Sequence, residues 1–328
     1  MRNSHSDSAK NETRLRVAEL ETLAQEWLLD NQLRQHSAQT IYCRKDYLKK
    51  LFWFLESRGF EEVGALELKG FLLYLSEGHK DPGGRWNNPR LTQPMRPVSI
   101  HAYYRVLRAL FNWLIEDEAI EFNPMQRIKP PVVRTEVKQP LPEESLHALL
   151  KASKASQNPQ RNEAIIRMLV DTGLRRAELC SLKTQDVDFT ARSLRVLGKG
   201  NKFRMCYLSP ATVRVLSKHL RKDPRQPNEP LFISERDSET AEPLTASGVF
   251  QLLRRLGKAA GIAPGQCTPH ALRRFFAVGA LRNGASVFAV QNLLGHTDLE
   301  QSRLYCAIAQ ADIQNQHRQF SPGSRLKS

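Results

Sequence analysis

The first third of the chain reads as helices separated by loops. From about Arg14 to Leu33 the apolar residues Leu20, Leu23, Ala24, Trp27 and Leu28 recur at helical spacing. A second helix is predicted from about Ala38 to Arg58, with Ser37 as its N-cap. Ile41, Leu48, Leu51, Phe52 and Leu55 form its apolar face, and Arg44, Lys45 and Lys49 lie on another. The third, about Leu66 to Leu75, carries Leu66, Leu68, Phe71, Leu72 and Leu75 and is apolar on most sides, which points to a central place. The fourth runs from about Val98 to Asp117, with Tyr103, Leu107, Leu110, Phe111 and Leu114 as a buried stripe and Arg105, Arg108 and Asn112 as a separate polar one.

Three stretches break this rhythm. Residues 1–12 are polar and expected to be disordered. Between His79 and Pro97, four prolines and paired glycines forbid regular structure, while Arg85, Trp86, Arg90 and Arg96 make the loop basic with one aromatic. Two readings stay open: a solvated insertion, or a loop that touches a nucleic-acid backbone. From Asn123 to Pro142, five prolines suit an extended linker that also carries Arg127, Lys129, Arg134 and Lys138. The expected domains are 13–128 and 141–328, joined by 129–140.

The second domain opens with Leu141-Pro142-Glu143-Glu144, a proline followed by acids, as at a helix start. Asn162 to Asp171 is another apolar helix. The period then changes to two: Asp186–Phe189, Leu194–Leu197 and Phe203–Leu208 alternate around the turn Gly198-Lys199-Gly200-Asn201, predicting a small antiparallel hairpin. Everything beyond, to about Arg318, is helical in pattern. The expected fold is mainly α with two domains: four helices first, then a mixed α+β domain with a small antiparallel sheet.

Charge directs attention to the second half. Residues 1–135 hold 20 Lys and Arg against 17 Asp and Glu, a net of +3, and the remainder holds 29 against 17, a net of +12. Such a field implies a polyanionic partner, with nucleic acid foremost. The five cysteines show no Cys-x-x-Cys spacing, so neither a disulfide framework nor a zinc site is indicated. The N-terminus lacks an apolar signal core and no apolar run approaches a membrane span, so a cytoplasmic, nucleoid-associated protein with no membrane partner is expected.

Candidate chemistry is concentrated between Thr268 and Tyr305. Thr-Pro-His-Ala-Leu-Arg at 268–273 sets His270 and Arg273 three apart, and Leu-Leu-Gly-His at 293–296 is followed nine residues later by Tyr305. A planar cation, two imidazoles and a phenol are the parts needed to attack and stabilise a phosphodiester. At 171–182, Gly173 permits a tight turn and Arg175 and Glu178 sit one helical turn apart. Taken singly, an Arg-x-x-Glu pair is an ordinary surface salt bridge, and a lysine at a hairpin tip, such as Lys199, is an ordinary solvated residue.

Together these pieces resemble the catalytic domain of the tyrosine recombinase (phage integrase) family, in its Xer-like and mobile-element branches. The matching pieces are Thr-Gly-Leu-Arg-x-x-Glu-Leu at 172–179, Gly-Lys-Gly-Asn-Lys at 198–202, Pro-His-x-Leu-Arg at 269–273, Leu-Gly-His-x-Asp-Leu at 294–299, and Tyr305. The preceding four-helix segment looks like the family's core-binding, SAM-like domain. The resemblance implies a site-specific recombinase or integrase that forms a 3′-phosphotyrosyl intermediate without metal, ATP or other cofactor. It makes Tyr305 the nucleophile and Arg175 and Arg273 clamps on the phosphate oxygens, a task that suits planar guanidinium groups. Lys199 becomes the general acid, His270 a proton acceptor or donor beside the tyrosine, and His296 a phosphate ligand. Glu178 reads as an anchor for Arg175. A phenol with a pKa of about 10 is roughly one part in a thousand ionised at pH 7, so the site must supply about 4 kcal/mol.

Double-stranded DNA is then the partner, with Arg44, Lys45, Lys49, Arg85, Arg105, Arg108 and Lys202 as candidate contacts. The family likeness adds a synaptic tetramer and leaves room for an accessory directionality factor. The tail residues Ile308, Ile313 and Phe320 pack either on a neighbouring protomer or on their own domain. Two departures stand out: Arg274-Phe275-Phe276 where His-x-Phe is expected, and Cys306 after the tyrosine. Two other functions compete, a type IB topoisomerase and a DNA-binding regulator on a decayed scaffold. The Leu-Gly-His to Tyr spacing opposes the first and the intact set of motif residues the second.

Overall fold

The computed structural model describes residues 14–79, 83–133, 139–198, 202–234 and 242–295, together with positions 305, 317 and 321. The chain divides into two compact units, residues 1–135 and 136–328.

In the first unit, strand β1 (Leu15–Arg16) leads into helix α1 (Val17–Leu33), followed by α2 (Ala38–Ser57), strand β2 (Glu62–Val63), α3 (Ala65–Ser76) and α4 (Pro97–Glu116). Helix starts follow local chemistry. Ser37 accepts a hydrogen bond from the Thr40 amide at 3.2 Å, Glu67 accepts from the Gly64 amide at 2.8 Å, and Pro97 opens α4. Leu20, Leu51, Leu55, Leu68, Phe71, Leu75, Leu107, Leu110, Phe111 and Leu114 meet in one core.

Three expectations change here. Leu66 is not part of the apolar face of α3: it is 70% exposed, because the inward side is set by Leu68, Phe71, Leu72 and Leu75. Leu15 and Arg16 form a short antiparallel strand and not the start of α1; Leu15 pairs with Val63 and Arg16 with Glu62. The start of the proline-rich segment is packed into the bundle. Pro124–Arg127 forms a 3-10 turn capped by Asn123, whose Oδ1 accepts from the Met125 amide at 2.8 Å, and Met125 and Ile128 are buried.

The basic loop after α3 is anchored by aromatics. Trp86 packs against Trp53, Phe71 and Tyr74, and His79 lies 4.2 Å from the Tyr74 ring. Arg85 is 5% exposed and donates through Nη2 to the Gln93 carbonyl. This removes Arg85 from the DNA contacts, since its guanidinium stitches the loop together from inside. Arg90 and Arg96 remain exposed.

The second unit contains α5 (Glu143–Lys154), α6 (Pro159–Thr172), α7 (Arg176–Ser181), strands β3 (Val187–Asp188), β4 (Ser193–Leu197) and β5 (Phe203–Tyr207), then α8 (Pro210–Lys222), α9 (Ala246–Ala259), α10 (Pro269–Arg282) and α11 (Val287–Leu294). The strands form an antiparallel sheet in the order β3-β4-β5, with Val196 opposite Arg204 and Leu194 opposite Cys206. Helix α6 is central and packs against α5, α8 and α10, with Ala164, Ile165, Ile166, Met168 and Leu169 fully buried. Ser209, Thr245, Thr268 and Ser286 cap α8, α9, α10 and α11, each accepting from an amide three residues on.

Candidate active site

Helix α6 ends at Gly173, whose φ of +62° turns the chain so that Arg175 stands immediately before α7. A Cβ at Gly173 would lie 2.6 Å from both Leu294 Cδ2 and Phe276 Cδ1, so the Thr-Gly-Leu-Arg turn is seated against α10 and α11. Glu178, in the first turn of α7, accepts from the Arg175 amide and from Arg175 Nη1, both at 2.8 Å. Its two oxygens also receive Arg204 Nη1 and Nη2 at 2.8 Å each. Burial alone would raise the Glu178 pKa. The hydrogen bonds from Arg204 and the Arg175 amide, with the Arg204 charge, more than offset this and hold it below the usual carboxylate range.

Thr268 and Pro269 start α10, which puts His270 and Arg273 one turn apart. Arg273 is buried and donates from Nη1 to the Gly173 carbonyl at 2.5 Å and from Nη2 to the Leu294 carbonyl at 2.7 Å. Arg204 Nε donates to the Leu293 carbonyl and Arg175 Nη2 to the Gly295 carbonyl, each at 3.0 Å. Three guanidinium groups thus end on three successive carbonyls at the C-terminus of α11. A helix C-terminus presents unpaired carbonyls and the negative end of the dipole, so it favours cations there. Burial, and next the neighbouring Arg175, bring the Arg273 pKa down to about 10, which leaves it charged at neutral pH.

His270 keeps an exposed rim and lines a groove with Leu141, Arg176, Phe250, Thr268 and Arg274. Partial desolvation of the ring, followed by Arg273, Arg176, Arg274 and Arg175, holds its pKa below the usual histidine range. The imidazole is therefore neutral at pH 7 and able to accept a proton. Tyr305 is half-buried against the small core of Ala277, Leu281, Val290 and Leu294, and it lies within electrostatic reach of Arg273. Lys199 and His296, and the tail residues Ile308, Ile313 and Phe320, lie outside the described residues. The stem of the Lys199 hairpin is closed by a 2.8 Å bond from the Gly198 amide to the Lys202 carbonyl. Among the described residues no group of three or more His, Cys, Asp or Glu side chains is placed to hold a metal ion.

The profile of the Phage integrase family matches residues 139–312, the part of the chain that holds every motif of this site. The chain belongs to the phage integrase family of tyrosine recombinases. A tyrosine recombinase of Thermosipho africanus is 32% identical over 278 residues, covering 84% of this chain and 91% of that protein. Tyrosine recombinase XerD of Listeria monocytogenes is 31% identical over 233 residues, 69% of this chain and 77% of its own. Among solved structures, XerH site-specific recombinase bound to palindromic difH substrate matches with a TM-score of 0.67 at 20% identity, over 94% of this chain and 85% of that one. The Tn1549 transposon integrase in complex with a circular intermediate DNA matches at 0.65 and 21%, over 89% and 99%. The two structures establish the two-domain, mainly helical fold. The protein is a tyrosine-type site-specific recombinase.

In this recombinase the remaining candidate DNA contacts divide by exposure. Lys45, Lys49, Arg105, Arg108 and Lys202 are exposed. Arg44 is half-buried; its guanidinium lies 4.7 Å from the Trp27 ring centre and bonds to Asn31. Asn112, on the polar stripe of α4, accepts from Asn123 at 2.6 Å. The residue that the sequence reading missed is Arg204. Its signal was its register: with Cys206 it occupies the inner face of β5, while Phe203, Met205 and Tyr207 point outward, Tyr207 being 63% exposed.

Proposed function

We propose that Tyr305 attacks a DNA phosphodiester held between Arg175 and Arg273. The observation that carries this reading is the pair of guanidinium groups fixed by carbonyls at the end of α11, with Tyr305 packed against the small core that α11 shares with α10. The phenolic oxygen bonds to phosphorus as the bond from phosphorus to the 5′ oxygen breaks. The phenolic proton passes to neutral His270, and Lys199 donates a proton to the departing 5′ oxygen. Arg175, Arg273 and His296 offset the charge that grows on the phosphorane oxygens. The 3′-phosphotyrosyl product conserves the energy of the bond, so a DNA hydroxyl can reverse the step without ATP and, in this scheme, without metal. Strand exchange is then the natural outcome.

In this reading residues 13–128 hold one side of the duplex through Lys45, Lys49, Arg105 and Arg108, with Lys202 contributing from 141–328, beyond the 129–140 linker. The working unit is a tetramer on two aligned sites in the nucleoid. The test is a nicked suicide substrate, from which the short fragment carrying the freed 5′ hydroxyl is lost after cleavage. A covalent protein–DNA complex that survives denaturant is expected with the wild type and not with Tyr305→Phe. An adduct on any other tyrosine overturns the assignment.

A further inference from the structure

We infer that Arg204 is a positioning residue that neutralises Glu178 and so leaves the charge of Arg175 available to the scissile phosphate; this rests on the phosphate-clamp reading above. Arg175 and Glu178 alone would be a closed ion pair, because Glu178 takes both the backbone amide and Nη1 of Arg175. A neutral pair is a poor ligand for a phosphate. Arg204 changes the balance by engaging both oxygens of the same carboxylate at 2.8 Å. The cluster of Arg175, Arg204 and Arg273 against Glu178 then carries three positive charges and one negative, a net of +2.

Exposure assigns the roles. The Arg204 side chain is 12% exposed, enclosed by Glu178 and the end of α11, whereas that of Arg175 is 36% exposed. Arg204 is thus the enclosed partner that satisfies the carboxylate, and Arg175 is the one with a face toward ligand. A second observation supports the placement. Gly295, at φ +62°, has no side chain where Arg204 crosses it: a Cβ there would meet Arg204 Cδ and Nη1 at 3.1 Å and Cζ at 3.3 Å. The glycine of the Leu-Gly-His motif is therefore the floor on which Arg204 lies. Because Arg204 belongs to β5, the same contact fixes the stem of the Lys199 hairpin against α11.

The experiment compares Arg204→Met, Glu178→Gln and the double variant by single-turnover cleavage of the suicide substrate, with DNA affinity and thermal melting measured on each protein. Arg204→Met is expected to slow cleavage by about 10- to 100-fold with affinity within about twofold, a loss expressed in the reaction step. Glu178→Gln keeps an oxygen for the Arg175 amide and removes the competing charge. The double variant is therefore expected to cleave at least about tenfold faster than Arg204→Met, a coupling that a merely structural residue would not produce. Wild-type cleavage by Arg204→Met, or a double variant no faster than the single, overturns the inference. If Arg204→Met fails to fold, Arg204→Lys carries the test: it keeps one charge but cannot hold both oxygens and the Leu293 carbonyl together, so cleavage slows at unchanged affinity. A wild-type rate in that variant refutes the role. Loss of the adduct in the wild type itself, or its persistence in Tyr305→Phe, refutes the clamp reading and is distinct from either result.

Discussion

Replacing Gly173 by alanine should cost stability in two separable parts and cleavage in a third. The first part is conformational: a side chain at φ +62° costs about 1–2 kcal/mol, partly offset by about 0.4–1 kcal/mol from a less flexible unfolded chain. The second is steric. The new Cβ would stand 2.6 Å from Leu294 Cδ2 and Phe276 Cδ1, both in packed surroundings, and overpacking of that kind costs about 1–3 kcal/mol. Gly261 isolates the first part, since it has φ +71° in the same unit and nothing within 4 Å of its Cβ position. Gly261→Ala should lower the melting temperature by roughly 1–5 °C and Gly173→Ala by roughly 5–15 °C. Relief of the clash moves Leu294, whose carbonyl holds Arg273 at 2.7 Å. A shift of about 1 Å at such a contact lowers the cleavage rate on the order of 100-fold. The assays are thermal melting and single-turnover cleavage of the suicide substrate. A Gly173→Ala protein that melts with Gly261→Ala and cleaves at the wild-type rate would show that the turn is not wedged between α10 and α11.

Three other outcomes are expected. His219 is buried with its ring stacked on Phe232 at 5.5 Å, and burial holds its pKa below the usual value. The unfolded chain then binds the extra proton between that lowered pKa and about 6.5, so stability is full above about pH 6.5 and declines as pH falls below it. Urea midpoints at pH 7.5 and 5.5 should differ more for the wild type than for His219→Phe; equal losses would contradict this. Lys199→Ala should slow cleavage of a normal 5′ oxygen and spare a substrate with a 5′-bridging sulfur, whose departure needs no acid; equal damage to both removes Lys199 as the acid. Arg105→Ala with Arg108→Ala should weaken DNA binding and flatten its salt dependence by about 0.9 in slope for each lost phosphate contact, whereas Arg85→Ala should lower thermal stability and leave the slope unchanged. Unchanged salt dependence in the first variant would take α4 off the DNA.

The elements that were legible in the sequence are those fixed by local chemistry. Ser37 and Thr268-Pro269 announce helix starts, and the stripes of α2 and α4 repeat for five turns, long enough for periodicity to speak. What escaped is non-local. A ladder of two residues per strand, joining Leu15 to Val63, has no period to detect. Leu66 was misplaced because a helix with apolar residues on most sides does not reveal which of them faces inward. Arg85 resembles any loop arginine until the fold brings the Gln93 carbonyl within reach of its guanidinium and buries it. Arg204 was hidden for a physical reason: the inner face of β5 meets the polar end of α11, so the inward register takes a cation, and the apolar Phe203 and Met205 face outward. The motifs named Arg175, Arg273 and Tyr305 but not the carbonyls that hold the first two, since a main-chain acceptor leaves no letter in a sequence.

Those carbonyls tie the parts of the site to one short element. Helix α11 spans eight residues, and the Arg175, Arg204 and Arg273 guanidinium groups grip its end while Tyr305 packs on the small core that its Val290 and Leu294 form with Ala277 and Leu281. A displacement of that end by half a helical rise, roughly 0.8 Å, disturbs all three grips and the tyrosine's footing together. The failure modes of the proposed nucleophile and the proposed clamp are therefore correlated. A recombinase arranged this way is disarmed as a unit, and a partly assembled state that cuts a strand yet cannot reseal it has little structural support.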